Sequence, residues 1–402
     1  MRCPKENTFF MLYGNEQNRL CDYPKMRVIH SGTLDVNFGG PAMSTYLSIV
    51  GSRHLGIDAE MFMYQLPKDG KLRGEDIPIH FTPAPIVPKI LYSPKYKTDL
   101  RKLGDFDIYH TQNIWTYPTY GMIDVAREKK RPYLVTPRGM LYPQDIQKNN
   151  SWLKKFSLHY RLLDDMNRAA CIQTTCEEEM QHCRELGVKS PIAIIPNPID
   201  IRDISQQKQD DIFRLAYLGR LSRRKNVESL IYTFAEHRNR LNDAELIIIG
   251  GGDQEYENFL KEEAQRQNLT NVRFLGFLSG EEKDKALASA SVVAMPSEFE
   301  NFGNVVPEGL MRRIPCIATK GAPWKELESH HCGWWVDYRQ DAIAEAILQA
   351  KSLSRTELEE MGERGRHLME ENYAVDKIAA KLKCLYEWIL SEAEKPSFVY
   401  EQ

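Results

Sequence analysis

Four charged residues in the second half of this 402-residue chain stand at spacings that suit one task. Arg220 and Lys225 lie in Gly219-Arg220-Leu221-Ser222-Arg223-Arg224-Lys225-Asn226, directly after the apolar stretch FRLAYLG (213–219). An arginine can fork onto two phosphate oxygens, and a lysine adds a point charge. Fixed cations at the end of a strand compensate charge growing on a departing diphosphate without a divalent metal. Glu300 and Glu308 lie in Ser297-Glu298-Phe299-Glu300-Asn301-Phe302-Gly303-Asn304-Val305-Val306-Pro307-Glu308-Gly309-Leu310. Glu300 falls in a loop after the apolar run SVVAMP, and Glu308 about one turn into the next helix. The first turn of a helix offers free N–H groups to an anion, and a carboxylate behind it can accept from ribose hydroxyls. Each pair has a plainer alternative: a basic surface loop for the cations, helix capping for the glutamates.

Such residues need parallel strands to position them, because ligands sit outside the carboxyl ends of parallel strands. The first half supplies strands at KMRVIHSG (25–32), AEMFMY (59–64), DIYHTQ (107–112), PYLVTP (132–137), ACIQTTC (170–176) and PIAIIPN (191–197). Helical stretches separate them, among them the Gly-opened 39–56 and the long 151–169. The pattern restarts with strands at 213–219, 244–252, 271–277, 291–296 and 315–320. Two successive βα blocks predict an α/β protein of two doubly wound, Rossmann-like domains facing a central cleft. The expected divisions are an N-terminal extension, 1–25; a first domain, 26–197; a second, 198–375; and a C-terminal segment, 376–402, that can pack back on the first domain. The polar run QQKQDD and the prolines before it mark the linker. The last helix (373–393) has one packing face, Ile378, Leu382, Leu385 and Ile389.

With these motifs in order, the sequence resembles the GT-B glycosyltransferases of family 4. GRLSRRKN is similar to that family's G-R-L-x-x-x-K-G segment, and EFENFGNVVPEGL to its E-x-F-G-x-x-x-x-E motif, of which Glu300 and Glu308 are first and last letters. DIYHTQ, PYLVTPRGML, QTTCEEE, AIIPNPID and IIIGGGDQEYENF follow in family-like order, so the resemblance runs from about residue 26 to the last helix. It implies a retaining transferase that takes a sugar from a nucleotide-diphosphate sugar, with UDP preferred, to a saccharide or lipid-linked saccharide. Polysaccharide or glycoconjugate assembly is the implied setting. Arg220 and Lys225 would hold the diphosphate, and Glu308 the ribose. Glu300 would contact the donor sugar or stabilise positive charge near its anomeric carbon. Phe302, Gly303 and Asn304 would offer backbone N–H groups. Gly39 and Gly40 would let the backbone approach the diphosphate from the other side, and Leu275–Phe277 would lie by the base.

Two departures from the family stand out. Many members have His-x-His where this chain has His110-Thr111-Gln112. Gln112 can hydrogen-bond a sugar but cannot titrate, and His110 fits equally as a packed strand residue. That substitution favours a second expectation, a catalytically silent sugar-nucleotide binder serving another transferase. Asn226 stands where glycine is usual. Arg138, in TPRGML, ends a first-domain strand and so faces the cleft, as a substrate contact or a loop ion pair. Trp115, Tyr117 and Tyr120 suit sugar faces or core packing.

No metal or other cofactor is expected. Asp105-Phe106-Asp107 spells the Asp-x-Asp of metal-dependent transferases but opens a strand far from Arg220. Gly250-Gly251-Gly252 lacks the continuation of a dinucleotide fingerprint, which leaves a tight turn and argues against an oxidoreductase. Cys171, Cys176 and Cys183, and the run His330-His331-Cys332, match no common zinc spacing. No apolar run is long enough to cross a bilayer, and the first residues are too polar for a signal peptide, so the expected compartment is the cytoplasm. Charge is uneven. Residues 1–195 hold 26 Lys+Arg against 21 Asp+Glu, a net of +5, within a chain whose net charge is −3. The densest part runs through Arg127, Lys129, Lys130, Arg131, Arg138, Lys148, Lys154, Lys155 and Arg161. It is either a solvated face or a peripheral contact with the inner face of a membrane or a phosphorylated acceptor. Nucleic acid is not an expected partner.

Overall fold

The computed structural model describes residues 26–35, 38–67, 70–72, 74, 76–147, 151–203 and 210–402. The extension 1–25, Lys148 of the basic cluster and most of the QQKQDD run lie outside the described residues. Two sheets organise the rest. The first holds β1 (Arg27–Ser31), β2 (Asp58–Tyr64), β3 (Ile79–Thr82), β4 (Ile108–Thr111), β5 (Tyr133–Val135), β6 (Cys171–Thr174) and β7 (Ile192–Ile194). The second holds β8 (Phe213–Leu218), β9 (Ala244–Ile249), β10 (Val272–Gly276), β11 (Val292–Met295), β12 (Cys316–Thr319) and β13 (Gly333–Val336). A last short strand, β14 (Val399–Tyr400), closes the first sheet, antiparallel to β7.

The strand orders are β14-β7-β6-β5-β4-β1-β2-β3 and β10-β9-β8-β11-β12-β13. In both, chain order reverses beside the first strand, between β1 and β4 and between β8 and β11. Loops leaving neighbouring strands there part in opposite directions and open a crevice at the carboxyl edge. Ser31 pairs with Thr111, and Tyr217 with Ala294, so Gln112 and Gly219 each emerge beside such a crevice. The strands are near-continuous runs of buried aliphatic residues, such as Leu246–Ile249, because helices cover both faces.

Chain connections tie the halves together. Ile199 N–H donates to Tyr373 O at 2.8 Å, so the outgoing and returning segments run side by side. The returning chain forms the helix Val375–Ile389, which packs Ile378, Leu382, Leu385 and Tyr386 against Val28, Ala59 and Met61 of the first sheet. It lies on the helix Gly40–His54, where a Cβ at Gly51 would come within 2.8 Å of Ala379 and Val375.

β3, β13 and β14 are not apparent from sequence patterning. IHFT is short and held between Pro78 and Pro83, GWWV follows a polar His-His-Cys run, and two residues of β14 gain order only from β7. The Gly250–Gly252 run is a surface for close backbone approach. A Cβ at Gly250 would sit 1.8 Å from Gly219 O, and one at Gly252 2.3 Å from Leu221 O. The Arg220 loop rests directly on it, with Leu221 N–H donating to Gly251 O at 3.1 Å.

Tyr386 links the returning helix to the sheet, its hydroxyl 2.9 Å from His110 Nδ1. Tyr386→Phe should lower unfolding free energy by about 1 kcal/mol, because a buried ring nitrogen loses its partner. A urea midpoint equal to wild type would contradict this coupling.

Candidate functional site

On the second-half side of the cleft, β8 ends and Arg220 follows, exposed and with no side-chain partner among the described residues. The chain then winds through a short turn, Arg223–Lys225, closed by Asn226 at φ 51°. Asparagine is among the few residues that tolerate this left-handed conformation, so it replaces the family's glycine without disturbing the turn. Lys225 Nζ pairs directly with Glu300 Oε1, the two side chains only 17% and 11% exposed. The two loops are also pinned by backbone: Glu298 N–H donates to Arg224 O at 2.9 Å, and Glu300 N–H to Gly321 O at 2.8 Å. Glu308 pairs with Lys283 Nζ at 2.7 Å, a lysine that the sequence patterns do not single out. The Phe302 ring is core, edge-on to Trp324 with centroids 5.2 Å apart, and Phe302 O accepts from Trp324 Nε1. The N–H groups of Phe302, Gly303 and Asn304 have no partner among the described residues.

Across the cleft, Arg138 leaves the end of β5 at φ 52°. Its guanidinium is enclosed by neutral groups. Nη1 donates to Ser44 Oγ at 2.7 Å and Asn197 Oδ1 at 3.1 Å, Nη2 to Thr45 Oγ1 at 3.1 Å, and Nε to Gln112 O at 3.1 Å. Nη2 also donates to Gln112 Oε1 at 2.5 Å. Desolvation pushes the Arg138 pKa down to about 10, with the Glu179 carboxylate opposing, so it remains cationic at neutral pH. Gln112 in turn donates from Nε2 to His30 Nδ1 at 2.9 Å. Burial, helped by Arg138, lowers His30 to about 3. His110 is also held neutral, by burial first and by His30 and Arg138 after it, and it bridges Tyr386 and Thr136 inside the sheet. It is a packed strand residue.

The two walls meet at a polar seam. Asn197 Nδ2 reaches Asn304 Oδ1 at 3.4 Å, and a Cβ on Gly40 would lie 2.1 Å from Asn304 Nδ2. Gly39, at φ 63°, turns the chain into the helix that Gly40 opens. Asn301 Nδ2 donates to Thr175 Oγ1 at 3.1 Å, and the Thr175 hydroxyl donates to Glu179 Oε2 at 2.9 Å. Glu179 is buried and accepts also from the amides of Thr175 and Gly139; desolvation raises its pKa against those bonds. The structure therefore gathers Gly39, Gly40, Gln112, Arg138 and Asn304 at one seam, and Arg220, Lys225, Glu300 and Glu308 on the wall beyond it.

Other sequence candidates lie elsewhere. Asp105 and Asp107 precede β4, at the edge opposite the cleft, where Asp105 pairs with Lys129 at 2.6 Å and Asp107 accepts from Arg27 N–H at 2.9 Å. Among the described residues no three His, Cys, Asp or Glu side chains are grouped to hold a metal ion. Cys171, Cys176 and Cys183 are free buried thiols whose pKa values burial raises. Trp115, Tyr117 and Tyr120 pack against the first core. Much of the dense basic run is internally paired: Arg127 and Arg161 with Asp165, Lys129 with Asp105, Arg131 with Asp107. The charge count thus overstates the free basic surface. No helix among the described residues is long and apolar enough to cross a membrane.

Residues 200–368 match the family described as glycosyl transferases group 1, and residues 39–198 a glycosyl transferase 4-like domain. A GDP-mannose-dependent alpha-(1-6)-phosphatidylinositol monomannoside mannosyltransferase of Mycobacterium tuberculosis is 31% identical over 41% of this chain and 45% of its own length. The alpha-monoglucosyldiacylglycerol synthase of Streptococcus pneumoniae is 25% identical over 63% of this chain and 60% of its own. The matched stretch spans from under a third to three fifths of the curated relatives' lengths. Among solved structures, sucrose-phosphate synthase from Thermosynechococcus elongatus superposes with TM-score 0.72 at 17% identity, over 92% of this chain and 100% of that one. Anabaena Alr3699/HepE, solved with UDP and glucose, gives 0.71 at 17% identity over 89% and 98%.

The seam yields a direct test. A Cβ on Gly139, itself at φ 77°, would lie 2.6 Å from Asn301 Cβ. Gly139→Ala should therefore part the two walls and enlarge the radius of gyration in small-angle scattering. Asn301→Gly in the same chain should restore it. A lone Gly139→Ala with unchanged scattering would mean that the walls do not meet here.

Proposed function

Because this chain belongs to the glycosyl transferases of group 1 and has the GT-B fold, we propose that it moves a sugar from a nucleotide-diphosphate sugar to a saccharide or lipid-linked saccharide acceptor, with retention of anomeric configuration. A UDP-sugar is the proposed donor, and the cytoplasm the proposed compartment. The observation that carries the reading is the Lys225–Glu300 pair at the carboxyl edge of the second sheet, with Arg220, which has no side-chain partner among the described residues, following the same strand.

The pair keeps a lysine and a glutamate ready at neighbouring points. As the diphosphate enters, Lys225 and Arg220 turn to its oxygens, and the amides of Phe302, Gly303 and Asn304, without partners among the described residues, add neutral donors. Glu300, released from Lys225, lies by the sugar, where its charge favours the positive anomeric carbon of the transition state. Glu308 takes the ribose, replacing Lys283. From the other wall, Gly39 and Gly40 give the backbone access, and Arg138 supplies a cation beyond the seam. Gln112, kept between Arg138 and His30, serves as a hydrogen-bonding residue only. The acceptor oxygen bonds to the anomeric carbon on the face the leaving group departs, the carbon–phosphate-oxygen bond breaks, and the hydroxyl proton passes to the departing phosphate oxygen. Fixed cations make a metal or other cofactor unnecessary in this scheme.

The two glutamates should fail differently. Glu308 contacts a part of the donor that does not react, so Glu308→Gln should chiefly raise donor KM. Glu300 meets charge that grows at the reacting carbon, so Glu300→Gln should chiefly lower kcat. Steady-state kinetics on a defined donor and acceptor, with melting controls, separate the two. A folded Glu300→Gln with full kcat would remove Glu300 from the anomeric carbon.

A further inference from the structure

The first half carries an apolar and cationic face that the transfer scheme leaves unused. In the helix of residues 151–167, Leu158 and Leu162 face the core. The opposite side leaves Trp152 69%, Phe156 61% and Tyr160 78% exposed, with Leu153 at 40% beside them. These rings are four residues apart, hence on one helix face, and Phe156 and Tyr160 stack at 5.3 Å. A second apolar projection follows β3, where Ile86, Val87 and Ile90 are 66%, 42% and 49% exposed.

Both projections follow the carboxyl ends of first-sheet strands, β5 and β3, the edge where the cleft opens. A chain of contacts joins them through the helix Tyr117–Glu128. Tyr92, paired with Val87 beside the second projection, lies 4.8 Å from Tyr117 between ring centroids. Tyr120 hydroxyl lies 2.7 Å from Ser157 Oγ on the first projection's helix.

The cations that stand outside ion pairs here, among the described residues, are lysines. Lys89, Lys95 and Lys155 are exposed and none is in an ion pair within 4 Å among the described residues, although Asp99 is close enough to Lys95 to feel its charge. Nearby carboxylates are already neutralised: Asp99 by Lys102, Asp124 by Lys97 and Arg161, Asp164 by Arg168. An exposed apolar patch rimmed by cations is costly to leave in water, and two copies of it would repel. Aromatic rings and lysines on one face suit the boundary between lipid headgroups and acyl chains, where rings enter and ammonium groups meet phosphates.

We propose that this face docks the protein on an anionic lipid surface, Trp152, Phe156 and Tyr160 entering the interface and Lys89, Lys95 and Lys155 meeting the headgroups. The cleft mouth then opens beside the membrane. This docking stands whether or not the transfer reading holds.

Co-sedimentation of the full chain with vesicles tests it, comparing phosphatidylglycerol mixed into phosphatidylcholine with phosphatidylcholine alone. Binding should require the anionic lipid and weaken as salt rises. Lys155→Gln should weaken it by roughly fivefold. Changing Trp152, Phe156 and Tyr160 together to Ser should weaken it by at least about tenfold while leaving the melting temperature unchanged, because those rings are already exposed. Wild-type protein that ignores anionic vesicles, or a triple variant that binds as wild type, overturns the proposal. So does a dimer in vesicle-free ultracentrifugation that the triple variant abolishes, which gives the face to a second copy.

Discussion

The guanidinium of Arg138 constrains the first wall of the cleft. It stays charged although desolvation lowers its pKa to about 10, and the groups that enclose it are neutral. A cation held this way requires its donors to be satisfied by fixed oxygens, since loss of any one leaves a buried charged donor without a partner. Ser44 and Thr45 come from the first helix, Gln112 from the end of β4, and Asn197 from the segment leaving the first domain. The same charge helps keep His30 and His110 neutral. Gln112 makes sense in this setting. A histidine beside so enclosed a cation would be driven neutral too, so an amide that accepts from Arg138 and donates to His30 loses little and fixes both neighbours.

On the opposite wall three of the four charged residues singled out from sequence, Lys225, Glu300 and Glu308, are held in ion pairs. Lys225 with Glu300 and Lys283 with Glu308 are ion pairs whose partners a polyanion and a hydroxyl-rich ligand can each replace. The part-exposed Lys283–Glu308 pair adds little to stability, whereas the largely buried Lys225–Glu300 pair separates without penalty only where a ligand replaces the lost charge. Arrangement of both walls follows from topology: each sheet reverses its strand order beside its first strand, and both reversals bring their loops to the shared cleft.

Periodicity and motif spacing made the two-sheet architecture and the charged quartet of the second wall legible, because each group sits within one short segment after an apolar strand. The first wall was legible only at Gly39, Gly40, Gln112 and Arg138. Ser44, Thr45 and Asn197 reach Arg138 from up to 94 residues away, and His30 reaches Gln112 from 82; ordinary polar residues at such separation leave no local signal. Lys283 is hidden for the same reason, one lysine in a charged amphipathic helix. His110 could not be assigned from its neighbours, since its partner Tyr386 lies 276 residues further on. The basic run was the opposite case: visible in composition, yet four of its nine members, Arg127, Lys129, Arg131 and Arg161, are spent on carboxylates brought close by folding.

The central claim is that fixed side chains of the second wall do the work a metal ion would otherwise do. Calorimetric titration of the purified protein with UDP-sugar, in the presence of EDTA, measures this most directly. The account predicts binding in the chelator, weakened by about tenfold or more in Lys225→Ala through loss of a charge-assisted contact. Binding that vanishes in EDTA and returns with manganese or magnesium, or that Lys225→Ala leaves unchanged, would contradict it.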